Sequence, residues 1–229
     1  MEKFTSMKWS YRELVLLLGL TLIVVPVAIE FLLHDYLYDL FKDRLYSGTL
    51  TGLVMAIVFS SGVNWIALKP HRLGWKAVGV RSFEKSYWKW IFMWLVVLIA
   101  ASMLALIVMD FLRISAENTK TASLKENQTW LTVSIGFLSA AVISPIYEEI
   151  FYRGFLYKWF RMKWGVSTGI IVSSVIFTIV HIPTYNTLPV NFLSGIVFAW
   201  TYEKSGSILP GMVIHGMFNG IAVILIALG

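Results

Sequence analysis

Cysteine is absent from all 229 residues. That one absence excludes disulfides, Cys-ligated zinc, thiol nucleophiles and S-acylation together. Charge is scarce as well: Asp, Glu, Lys and Arg make up 14% of the chain, against about 25% in an ordinary soluble domain. There is no internal repeat, no low-complexity tract and no linker long enough to separate independent domains. No A-x-A-like cleavage site follows the first apolar run, so that run reads as an uncleaved anchor. What fills the space is apolar: 58% of residues are hydrophobic, with a mean hydropathy of +0.73. A chain of this composition is a membrane protein.

A helix crossing the bilayer needs about 20 mostly apolar residues. Such runs fall near 13–33, 49–68, 91–109, 131–152, 166–182, 188–202 and 207–228. The fold expected is an all-α, polytopic transmembrane helix bundle of about seven spans, six to eight. The net charge of +6 then acquires a meaning. With the N-terminus inside, fourteen of the nineteen Lys and Arg fall in inner segments, among them Lys3, Arg72, Lys76, Arg81 and Lys158. The outer segments hold Lys42, Arg44, Arg113, Lys120 and Lys125. This is the positive-inside bias, so the charge is a topology signal and gives nucleic-acid binding no support. Trp9, Trp65, Trp88, Trp90, Trp130, Trp159 and Trp200 stand near span ends, where an indole keeps its N–H wet and its ring in lipid.

Titratable groups inside spans are expensive and call for a reason. They are Glu30, Glu148, Glu149, Arg153, His181 and His215, with Asn64, Asn191 and Asn219 as polar neutrals; His34 and His71 read as loop residues. Glu30 is near the outer end of its run and reads as structural, reaching water by snorkelling. In S-P-I-Y-E-E-I-F-Y-R, Ser144 to Arg153, Pro145 kinks the helix and frees a carbonyl one turn upstream. Glu149 and Arg153 stand four apart in the order that favours a helical ion pair. Glu148 points about 100° away, with no local cation, as suits a general base or a proton shuttle. The bland alternative is a Glu-Glu pair that only marks a helix end.

His181 closes F-T-I-V-H, late in the next run. A hairpin centred on Trp164–Gly165 puts it at the same depth as Glu148, about 1.5 Å of rise per residue being shared by both helices. His215 and Asn219, in H-G-M-F-N, share a face of the last helix. Gly211, Gly216 and Gly220 keep that helix slim for close approach. A neutral His and Asn side by side are also suitable donors for an oxyanion hole, though helix packing would use them equally well.

E-E-x-x-x-R, F-x-x-x-H and H-x-x-x-N on three late apolar helices, over roughly the last 100 residues, resemble the CAAX protease and bacteriocin-processing (CPBP) family, also labelled Abi. That intramembrane protease family includes the type II CAAX prenyl endopeptidases. The matching residues are Glu148, Glu149, Arg153, Phe177, His181, His215 and Asn219. The resemblance divides the chain into N-terminal transmembrane helices with a basic cytoplasmic loop, 1–110, and a CPBP-like catalytic helix bundle, 111–229. It implies that Glu148 with His181 activates a water, that His215 and Asn219 hold the oxyanion, and that Glu149 and Arg153 support the helix geometry. The family is read both as metal-free glutamate proteases and as metalloproteases. Were a metal present, Glu148, His181 and His215 would hold it, and zinc suits such a set. The ligands lack H-E-x-x-H spacing, so the metal-free reading is preferred. The motifs of site-2, presenilin and rhomboid proteases are all missing.

The expected function is endopeptidase action on a membrane-associated or lipid-modified peptide, in a multi-pass protein of the bacterial plasma membrane with a cytoplasmic N-terminus. Its partners would be membrane lipids and the peptide or lipidated protein substrate. The rival is a non-catalytic immunity or scaffold protein, or a proton-coupled transporter using the same polar cluster. A relay would need titratable groups strung across the bilayer, and few lie outside the one cluster.

Overall fold

The computed structural model describes residues 8–115, Ala122 and 129–228. Lys3, Lys120 and Lys125, counted in the charge bias, lie outside these residues. Among the described residues there is no strand, and seven principal helices follow one another. We label them α1 (Tyr11–Phe41), α2 (Arg44–His71), α3 (Lys85–Phe111), α4 (Trp130–Trp164), α5 (Val166–Ile179), α6 (Leu188–Ser205) and α7 (Leu209–Leu228). Five are long and apolar enough to cross a membrane: α1, α2, α3, α4 and α7. Together they make the chain a multi-pass, all-α membrane protein. The shorter α5 is apolar and carries no charged residue, and α6 carries Asn191, Glu203 and Lys204.

The helix starts are locally encoded. Ser10 caps α1 in a capping box with Glu13, Asp43 caps α2 through its carboxylate, and Thr129 caps α4. Several helices run past the apolar stretch that announces them. Thus α1 continues to Phe41 at 31 residues, which places His34 inside a helix instead of a loop. Likewise α4 runs on for 35 residues, to Trp164. The turn after it falls where the sequence predicts a hairpin: Gly165 has φ 88, a conformation glycine adopts without strain, and α5 begins at once. α5 stops sooner than its apolar run. It ends at Ile179, because Pro183 disfavours helical backbone in the residue before it, and His181 therefore sits on the turn beyond the helix.

One large core draws on both halves of the chain, from Trp9, Leu17, Phe59 and Val63 to Phe151, Phe155, Phe177 and Tyr202. The basic end is tied together by polar contacts over long sequence separations. Two tryptophans expected at the membrane interface are instead buried there. Trp9 donates to the Ala67 carbonyl at 2.7 Å and Trp159 to the Ser10 carbonyl at 3.0 Å. An N–H needs a partner wherever it is buried, and here backbone supplies it in place of water. Trp65, Trp88, Trp90, Trp130 and Trp200 are exposed on the apolar surface, as expected. Lys158, also buried, donates to the Ala77 carbonyl at 2.8 Å, while Arg161 forks onto Glu203 at 2.9 and 3.0 Å. The loop between α2 and α3 is closed by the α6–α7 turn: Ile208 N–H donates to the Gly79 carbonyl at 3.0 Å, and Ser207 and Arg81 exchange side-chain bonds with each other's backbone neighbourhood.

Candidate active site

The site is built on α4, and α4 is not a regular α-helix. Two stretches, Leu138–Ile143 and Glu149–Tyr157, are wound with i→i+5 bonds, and Pro145 stands between them. Such π segments inside helices are frequent at functional sites. A wider turn reduces the angle between successive side chains. Glu148 and Glu149, expected to face about 100° apart on an α-helix, instead converge on one ring.

That ring is His215 of α7. Its Nδ1 is 3.2 Å from Glu149 Oε1 and its Nε2 is 3.8 Å from Glu148 Oε2. A carboxylate can only accept, so the proton of the first contact rides on Nδ1 and the ring turns Nε2 toward Glu148. Glu149 Oε1 also accepts from Arg153 Nη1 at 2.9 Å. Both partners of that pair are completely buried, at 0% and 1% exposure, so neither has water to fall back on. Glu148 accepts from the Ser144 hydroxyl one turn earlier. The sequence reading left Glu148 without a local cation; the structure gives it a serine donor and an imidazole instead.

Aromatic rings wall the cluster. Phe198 of α6 stacks on His215 with centroids 4.8 Å apart. The Arg153 guanidinium lies 4.3 Å from the Phe177 centroid and 4.8 Å from that of Phe198. Both rings offer their faces to the cation in a dry setting. Phe177 also connects the two histidines, at 4.7 Å from the His181 ring and 6.1 Å from His215. His181 Nδ1 bonds the Phe177 carbonyl at 2.6 Å, which holds the ring by its own helix end. Gly211 makes room for the carboxylate: a Cβ there would meet Glu149 Oε2 at 3.0 Å. Asn219, one turn beyond His215, gives Nδ2 to the Ala140 carbonyl at 3.0 Å.

His215 thus meets both Glu148 and Glu149, Arg153 pairs with Glu149, His181 joins them through Phe177, and Asn219 faces the first π segment. Glu30 lies on the exposed surface of α1. Among the described residues no three His, Asp or Glu side chains stand together so as to hold a metal ion. The Glu148, His181 and His215 set does not fit zinc in this geometry, and no step below is routed through a metal. Two contributors escaped the sequence reading. Ser144 had a usable signal, its i, i+4 spacing to Glu148. Phe198 had none, because an apolar residue in an apolar helix carries no mark of what it packs against.

Fold and site together define a multi-pass membrane protein whose buried Glu, Glu, Arg and His gather on a π-wound, proline-broken helix. Residues 129–221 match the family described as Type II CAAX prenyl endopeptidase Rce1-like. The match begins at the cap of α4 and ends within α7, so it contains every site residue named above. A curated relative, UPF0177 protein YbdI of Lactococcus lactis subsp. lactis (strain IL1403), is 26% identical over 95 residues, 40% of this chain and 46% of that protein. The matched stretch therefore spans about half the length of that relative. No solved structure matches the chain.

Proposed function

We propose that the protein is an intramembrane endopeptidase of the CAAX-protease type, acting on a membrane-associated or lipid-modified peptide. The observation that carries the reading is His215 set between two buried glutamates, one committed to Arg153 and the other not. Glu148, with His181, takes a proton from water, and the resulting hydroxide attacks the scissile carbonyl carbon. The oxyanion so formed accepts from His215 Nε2, when that nitrogen carries the ring's second proton, and from the N–H of Asn219 not given to Ala140. The C–N bond then breaks as the proton held on Glu148 passes to the leaving amine, releasing one carboxylic acid and one amine, between which the acid proton then passes. No metal is needed in this sequence of steps.

An open apolar groove of about 360 Å³ runs beside Pro145 and Gly216, lined by Phe137, Val142, Ile146, Met212, Val213 and Met217. It supports a substrate with a hydrocarbon portion. We place the protein in a bacterial plasma membrane with its basic end, including the N-terminus, on the cytoplasmic side.

The test is cleavage of a quenched fluorescent prenylated peptide in proteoliposomes. Glu148→Gln keeps the shape of the side chain and removes its basicity, so cleavage should fall at least a hundredfold while the unfolding midpoint stays within a few degrees. Full activity in that variant would refute the assignment. Prolonged dialysis against a strong chelator should leave the wild-type rate unchanged, and reactivation by added zinc would reverse the metal-free reading.

A further inference from the structure

The first π segment of α4 reaches a break that its own backbone cannot mend. Ser144 N–H bonds the Ser139 carbonyl, five residues back. The next bond in that register would run from residue 145 to the Ala140 carbonyl, but residue 145 is proline and has no N–H to give. In a membrane interior an unmet carbonyl is expensive, because no solvent stands in. The missing donor comes from another helix, 79 residues later: Asn219 Nδ2 lies 3.0 Å from the Ala140 oxygen. The neighbouring Ala141 carbonyl is pressed against α7 too. A Cβ on Gly216 would come within 2.4 Å of it, so only glycine permits the approach.

From this we infer that Asn219 is a positioning residue, the interhelical substitute for the N–H that Pro145 lacks, and that it fixes the course of α4 through the break and so the place of Glu148. His215 and Asn219 stand one turn apart on α7 and grip α4 on opposite sides of Pro145: Asn219 holds Ala140 before it, and His215 meets Glu148 and Glu149 after it. The H-x-x-x-N spacing is thus matched to the distance between the two sides of the break. The role deepens the proposed protease mechanism, since the amide has a second N–H for the oxyanion, but the clamp itself requires no substrate.

The experiment is a double-mutant cycle on the full chain in detergent, with unfolding midpoint and amide hydrogen exchange as readouts. Asn219→Ala should lower the midpoint by several degrees and speed exchange over residues 139–146. Pro145→Ala alone should change little. Combined, the two should recover most of the lost midpoint, because the alanine N–H becomes the local donor. A role in packing alone would not be rescued by removing a proline on another helix. A wild-type midpoint for Asn219→Ala, or a double variant as unstable as the single, overturns the clamp. Should Asn219→Ala fail to accumulate, accumulation of the double variant supports the inference and failure of both overturns it. With the prenylated peptide, kcat of the single should fall and then recover about tenfold in the double, short of wild type because the amide that serves the oxyanion stays missing, KM staying level. Recovery of the midpoint with no recovery of kcat would overturn the bearing of the clamp on Glu148. If no variant and not even the wild type cleaves the peptide, the protease reading fails while the stability arm still decides the clamp.

Discussion

Glu149 accepts from a guanidinium and an imidazole at one oxygen, and its side chain is fully buried. Removing the Arg153 guanidinium leaves a buried carboxylate uncompensated, and removing one member of such a pair costs about 3–5 kcal/mol. Arg153→Ala and Glu149→Ala should therefore lower the midpoint sharply, in contrast to Glu148→Gln. A thermal-shift series in detergent checks that split, and equal effects at all three positions would contradict it. The Glu149–Arg153 pair was legible because four residues of spacing survive even in a widened helix. The shared hold of both glutamates on His215 was not, since neither the π winding nor a ring arriving from 66 residues away leaves a local pattern.

Among the elements, α4 carries the site on a backbone that π winding interrupts twice. Gly154 lies in its second π segment, where a Cβ would come within 2.6 Å of the Val78 carbonyl and 2.9 Å of the Val78 side chain. The loop before α3 therefore docks directly on the back of the site helix. Gly154→Leu should wedge the two apart, and overpacking of this kind costs about 1–3 kcal/mol. Faster proteolysis within residues 72–81 of the variant would show the loop released, and an unchanged digestion pattern would argue against the contact. The hairpin at Gly165 was readable from Trp-Gly between two apolar runs. The early end of α5 depended on Pro183, whose effect reaches back over residues that look helical by composition alone. His181, placed in a span by hydropathy, is for that reason a turn residue.

At the scale of the molecule, the seven apolar runs correspond to seven principal helices among the described residues, five of them long and apolar enough to span a bilayer, which leaves so few backbone solutions. How the helices meet was hidden, as ties such as Trp9 to Ala67 and Trp159 to Ser10 join residues with no shared motif. Orientation can be read directly, because the chain supplies no cysteine of its own. A membrane-impermeant maleimide should label Lys42→Cys on intact cells, and Lys76→Cys only after lysis. The reverse pattern would invert the topology.

The α6–α7 turn that closes over Gly79 and Arg81 also sets an order of events during synthesis. A ribosome making this chain has delivered four long apolar helices to the membrane before residues 206–208 exist. Until then the loop at 79–81 has none of those partners, and α4 has neither His215 nor Asn219 to lean on. The gap to be closed is long, yet closure entropy grows only with the logarithm of loop length, so the delay comes from translation more than from the search. The site proposed to cut peptide bonds is thereby left unassembled until α7 arrives.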